Sequence, residues 1–155
     1  MQIRTEAMLR YHPALDVAPE PASDLAPSNF RILIVSDDMR SADSLKRTLR
    51  DLGYFSTFTA YSARRALVAA VDFSPAVALL DLELPDMTGF QLAGRFRSHL
   101  SAGVRQVPLL AIAELPRYGN AELTRAAGFI GCLAKPVQAA ALDALLGKLH
   151  RGALS

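Results

Sequence analysis

Residues 77–89 read Val-Ala-Leu-Leu-Asp-Leu-Glu-Leu-Pro-Asp-Met-Thr-Gly. The apolar run Val77–Leu80 has the length of a strand and no polar alternation, the pattern of a parallel strand buried on both faces. An acid, Asp81, follows it at once. Working outward, the same kind of run recurs at Arg31–Val35, Tyr54–Ala60, Pro108–Ala113 and Phe129–Leu133. Tyr54–Ala60 is the most mixed of these and suits an edge position. Between the runs lie segments of helical period. Ser41–Leu52 sets Leu45, Leu49 and Leu52 on one stripe, with Ser41 as N-cap. Ser62–Val71 is Ala-rich. Phe90–Leu100 repeats Leu92, Phe96 and Leu100 at a spacing of four. Asn120–Ala127 ends at Gly128, a natural C-cap, and Gln138–His150 carries Leu142, Leu145, Leu146 and Leu149. Five strands alternating with five helices predict an α/β protein, a doubly wound parallel sheet covered on both faces.

The chain has 155 residues, about half of them apolar, which fits one domain with an ordinary core. Residues 1–29 differ: they hold Pro13, Pro19, Pro21 and Pro27 and carry net charge −2, against +4 for the remainder. They read as a Pro-rich, flexible N-terminal segment, with Thr5–Tyr11 as a candidate short helix, before a domain at 30–150 and a short tail at 151–155. The overall charge of +2 is too small and scattered to point to nucleic acid, and Arg64–Arg65 and Arg95/Arg97 read as solvated helix faces. No apolar run approaches the ~20 residues of a membrane span, and the N-terminus lacks a secretory pattern. The single cysteine, Cys132, has no partner within the chain, which agrees with a cytoplasmic location.

In an open α/β sheet, ligands bind beyond the carboxyl ends of the strands, at the switch in strand order. The residues to inspect are therefore Ser36-Asp37-Asp38, Asp81, Ala113-Glu114 and Lys135-Pro136. Asp37 and Asp81 are acids at two strand ends, and Lys135 is a base at a third. Two converging carboxylates repel, and a divalent cation or an ammonium group relieves that repulsion. Mg2+ takes one or two carboxylates together with water and phosphate oxygens. An aspartate can attack phosphorus to form an aspartyl phosphate. Each residue alone also has a plain reading: Asp37 or Asp38 as a helix cap, Lys135 as a solvated turn residue.

Three segments taken together are more specific. Ile32-Leu33-Ile34-Val35-Ser36-Asp37-Asp38, Leu79–Gly89 and Leu133-Ala134-Lys135-Pro136 resemble the signature segments of response-regulator receiver domains, and the resemblance covers residues 30–150. It implies a flavodoxin-like topology for the sheet. Asp81 is then the phosphoacceptor of a two-component phosphorelay and Lys135 its contact to the phosphoryl group. Asp37, Asp81 and the backbone carbonyl of Glu83 hold Mg2+, with Asp38 as a further candidate. The Lys135–Pro136 bond is expected to be cis. The expected partner is a histidine kinase or a histidine phosphotransfer protein. The chain is expected to act as a phosphoacceptor rather than an enzyme, although one that promotes its own phosphorylation and dephosphorylation. With only Arg151–Ser155 after the last helix, a stand-alone receiver working through protein contacts, without nucleic acid or membrane, is the expectation.

The sequence departs from the family at four positions. Ser36 replaces one of the acidic pair. Ala113 stands where receivers carry Thr or Ser, and it has no donor. Glu114 puts a bulky acid at the next, usually small, position. Cys132 replaces the aromatic switch residue. A phosphorylation-independent docking module is therefore the main alternative. An aspartate-nucleophile phosphatase fits less well, because Asp81 follows the third strand rather than the first. A phosphotransfer histidine belongs mid-helix in a bundle, unlike His12, His99 or His150.

Overall fold

The computed structural model describes residues 29–114 and 121–152; residues 1–28, 115–120 and 153–155, and with them most of the expected N-terminal segment and tail, lie outside the described residues. Chain order is β1 (Ile32–Val35), α1 (Met39–Asp51), β2 (Thr57–Ala60), α2 (Ala63–Phe73), β3 (Val77–Asp81), α3 (Gly89–Arg97), α4 (Ala102–Arg105), β4 (Leu109–Ala113), α5 (Ala121–Ala126), β5 (Gly131–Ala134) and α6 (Ala139–His150). The strands form one sheet, ordered β2-β1-β3-β4-β5 and parallel throughout. This is the doubly wound, flavodoxin-like arrangement that the alternating pattern and the resemblance predict.

Side chains alternate across the strands. Ile32, Ile34, Val77, Leu79, Leu110 and Ile112 pack with α1 and α6 on one face. Leu33, Val35, Ala78, Leu80, Leu109 and Ala111 pack with α2, α3 and α4 on the other. Strands β1 and β3 are wholly buried, which is why their sequences read as unbroken apolar runs. Strand β2 lies at an edge and is only partly covered, as its mixed composition predicts.

The structure corrects three details. Helix α1 begins at Met39, two residues before Ser41, and its N-cap is Asp38. The Asp38 carboxylate accepts from Arg40 N (3.1 Å) and from Ser41 Oγ (2.7 Å), so Ser41 supports the cap instead of forming it. Helix α3 ends at Arg97, leaving Leu100 97% exposed, and a sixth helix of one turn, α4, follows. Val104, on that extra turn, is buried.

Arg97 is the third correction. It is half-buried, not solvated. Its guanidinium donates to the carbonyls of Arg105, Val107 and Gly128, each at 2.8 Å, and joins the end of α3 to the entries of β4 and β5. A planar fork of donors suits this role better than a lysine would. The carbonyl it reaches at Gly128 belongs to the predicted C-cap, where φ is +103° and only glycine is unstrained.

Candidate functional site

The carboxyl ends of β1, β3, β4 and β5 converge beside the place where strand order reverses, between β1 and β3. Val35 lies opposite Leu80, so the residues leaving β1, Ser36 and Asp37, emerge beside Asp81 at the end of β3. By strand alternation Asp81 falls on the α1/α6 face. It is only 3% exposed. A buried carboxylate needs partners for both oxygens, and Asp81 has them. Oδ1 accepts from the backbone N–H of Glu83 at 2.9 Å, and Oδ2 accepts from Lys135 Nζ at 2.8 Å. The lysine side chain is 25% exposed, so its ammonium reaches Asp81 from the solvent side.

Backbone bonds hold the two loops in place. Lys135 N donates to Ala113 O (3.0 Å), and Leu82 N donates to Ile112 O (3.0 Å). The Lys135–Pro136 bond is cis. Gly89 packs against the phosphoacceptor candidate's own backbone: a Cβ there would lie 2.7 Å from Asp81 O and 2.7 Å from Leu82 Cα. No larger residue fits without moving the loop that carries Glu83. Thr88 and Gln91 close that loop with a capping box on α3.

Asp86 was not singled out by sequence reasoning. Its carboxylate accepts from Ala63 N and Arg64 N, each at 3.0 Å, tying the β3–α3 loop to the first turn of α2. The bond from Ala63, followed by that from Arg64, holds its carboxyl below the usual carboxylate range. No local motif reveals this contact, because the two groups lie 23 positions apart.

The other candidates fall as follows. Asp37 is exposed, one residue beyond the buried Ser36. Asp38 uses both carboxylate oxygens in the α1 cap, and the Ser41 hydroxyl and then the Arg40 N–H lower its pKa. Ser36 Oγ accepts from Asp38 N at 3.3 Å. Ala113 is 1% exposed. Cys132 is half-buried on the α2/α3 side of the sheet, where burial pushes its thiol pKa up. Ser36, Asp81, Glu114, Lys135 and the α1 residues Arg40 and Ser41 share a cavity of about 440 Å³. Among the described residues no three His, Cys, Asp or Glu side chains cluster closely enough to form a dense metal cage. Beside that cavity the chain offers the Asp81 carboxylate, with the Asp37 carboxylate and the Glu83 carbonyl on the segments leaving β1 and β3, oxygen donors of the kind a largely hydrated Mg2+ takes; Asp37 is exposed and does not line the cavity itself.

Comparison with known proteins agrees with this geometry. The family model for the response regulator receiver domain matches residues 32–147. The crystal structure of the chemotaxis response regulator CheY4 of Vibrio cholerae superposes with TM-score 0.67 at 27% identity, covering 77% of this chain and 97% of that one. The transcriptional regulatory protein KdpE of Mycobacterium tuberculosis is 37% identical over 73 residues, 47% of this chain and 32% of KdpE. The virulence sensor protein BvgS of Bordetella bronchiseptica is 29% identical over 142 residues, 87% of this chain but 11% of BvgS. The chain thus spans only a part of these longer relatives.

Proposed function

The chain belongs to the response regulator receiver domain family of two-component systems, and on that premise we propose that Asp81 accepts a phosphoryl group from the phosphohistidine of a histidine kinase or histidine phosphotransfer protein. A carboxylate oxygen of Asp81 attacks phosphorus, the P–N bond breaks, and the departing imidazole nitrogen takes a proton from solvent. The observation that carries this reading is the 2.8 Å pairing of Lys135 Nζ with a nearly buried Asp81 at the carboxyl end of β3. The Glu83 N–H and the Lys135 ammonium orient the nucleophile. As charge grows on the phosphoryl oxygens, Lys135 is the cation at hand to meet it.

Asp37, Asp81 and the Glu83 carbonyl would hold Mg2+, which supplies further positive charge against the phosphoryl oxygens when bound. Asp38 is committed to the α1 cap and adds little to that set. Ser36 contributes a neutral oxygen in place of a charge, so affinity for the cation is expected to be modest. In this reading the chain is a carrier of the phosphoryl group in the cytoplasm and does not turn over a separate substrate.

Output is expected to differ from that of a receiver with the usual switch. Ala113 offers the phosphoryl group no hydroxyl, and the Cys132 side chain is too small to swing between packed and exposed positions as a ring does. A relay intermediate or phosphate sink needs neither. The same two substitutions favour the second reading, a docking module independent of phosphate. Incubation with Mg2+ and acetyl phosphate, or with a phosphorylated kinase, separates them. A gain of one phosphoryl mass that disappears in Asp81→Asn supports phosphoacceptance; no gain with either donor refutes it.

A further inference from the structure

Strand β2 pairs with β1 alone, so one side of it is a free sheet edge among the described residues. Ile32 N donates to Ser56 O (2.9 Å) and Ser36 N donates to Ala60 O (3.1 Å). Alternate residues of a strand bond to opposite sides, so Ser56, Phe58 and Ala60 face β1, while Thr57 and Thr59 aim their N–H and C=O groups away from the sheet. Natural edges are usually blunted by charge, proline or a bulge. Residues 55–61 read Phe-Ser-Thr-Phe-Thr-Ala-Tyr and contain none of these safeguards but shortness. Phe55 is 75% exposed, Phe58 47% and Tyr61 39%. Phe58 is not loose, since its ring lies 5.7 Å from that of Phe73.

This segment is a chemical palindrome about Phe58. Threonines flank it, then the small residues Ser56 and Ala60, then the aromatics Phe55 and Tyr61. A strand set antiparallel to a copy of itself, with the dyad at Phe58, brings like chemistry together at every level. Thr57 falls opposite Thr59 of the second copy, and both present outward N–H and C=O groups, so each such pair exchanges two hydrogen bonds. Phe58 meets its own copy at a non-hydrogen-bonded position, where Cα atoms approach to about 4.5 Å and side chains are closest. Phe55 comes into register with Tyr61. Aromatic cross-strand pairs are among the stabilising ones, and no charge repels across the dyad.

We propose that two copies of this chain join through β2, extending the sheet across a two-fold axis centred on Phe58. A second copy suits the edge better than the chain's own N-terminal segment, whose four prolines lack ladder donors. The paired stretch is short, so association should depend on concentration.

Sedimentation analysis of the full chain tests this. Its mass should rise with concentration toward twice that of the chain. Phe58→Lys, which sets like charges face to face, should remain monomeric while keeping the circular dichroism and melting behaviour of a folded domain. As a second measure, in a Cys132→Ser background Phe58→Cys should oxidise to a covalent dimer, because the expected Cα separation falls inside the roughly 4.4–6.8 Å range of disulfides. Tyr61→Cys in the same background should not, since its two copies lie on opposite sides of the dyad. A wild-type chain that stays monomeric, a dimer indifferent to Phe58→Lys, or cross-linking at Tyr61→Cys as ready as at Phe58→Cys would each overturn the proposal.

Discussion

Lys135 and Asp81 stand 54 positions apart in the chain, yet the lysine ammonium lies 2.8 Å from a carboxylate oxygen of the aspartate. Burial strips Asp81 of hydration, and the contact offsets part of that loss because the charge is paired and its other oxygen takes a backbone N–H.

Replacing Lys135 with alanine leaves that carboxylate buried with one partner fewer. We expect phosphoryl acceptance to fall by at least tenfold. Stability should drop by about 1–3 kcal/mol, the lower part being the better guide because the lysine is a quarter exposed. Mass spectrometry after exposure to acetyl phosphate reads the first effect and urea unfolding the second. An Asp81→Asn, Lys135→Ala double variant should recover part of the stability, since no unpaired charge remains.

At Ala113 the expected direction is a gain of function with a loss of stability. Ala113→Thr supplies a hydroxyl at the end of β4, and a hydrogen bond to a charged oxygen is worth roughly 1.5–3 kcal/mol, so phosphorylation by a small donor should speed up by about tenfold. The site is 1% exposed, and inserting atoms there should cost about 1–3 kcal/mol. Rate and denaturation midpoint measured on one preparation would show both changes; an unaltered rate would mean that the hydroxyl does not reach the phosphoryl group.

Asp86 makes a pH-dependent contribution. Its carboxyl pKa is lowered in the folded chain, by the Ala63 N–H first, so its stabilisation is present above the unfolded value of about 3.9 and is lost as pH falls below it. Asp86→Asn should therefore be less stable than the parent at neutral pH, and the two should converge in acid. The side chain is exposed, so the gap at neutral pH should be only about 0.5–1 kcal/mol. Thermal melts at several pH values will show whether the curves close.

Arg97 should be intolerant of change although Arg95 and Ser98 beside it are solvated. Arg97→Met removes donors from three carbonyls and should cost about 2 kcal/mol. Arg97→Lys should restore only a fraction, because a single ammonium cannot hold Arg105, Val107 and Gly128 together. Chemical denaturation of the three proteins gives the order.

What could be read from the sequence was whatever depends on local order. Val77–Leu80 and Ile32–Val35 read as central strands because a strand covered on both faces must be apolar at every position. Gly128 ends its helix through groups within a few residues, so its role was legible too. The acid at 81 and the base at 135 follow β3 and β5 of one parallel sheet, with β4 between them, and their convergence at its carboxyl edge was expected before any coordinate was known. The α1 start was missed by two residues because both Asp38 and Ser41 are good caps, and only backbone geometry chooses between them.

The sequence by itself determined the fold class and which charged residues stand at the strand ends. Tertiary structure alone decided that Arg97 clamps three carbonyls, that Asp86 braces a distant helix, that Gly89 leaves no room for a methyl group, and that Leu100 stays in solvent while Val104 is buried. The reason is physical. Apolar periodicity and capping act over one or two turns of chain. A hydrogen bond between groups 20 or 30 positions apart, or a contact of 2.7 Å, depends on how whole layers settle against each other, and no short stretch of sequence carries that information.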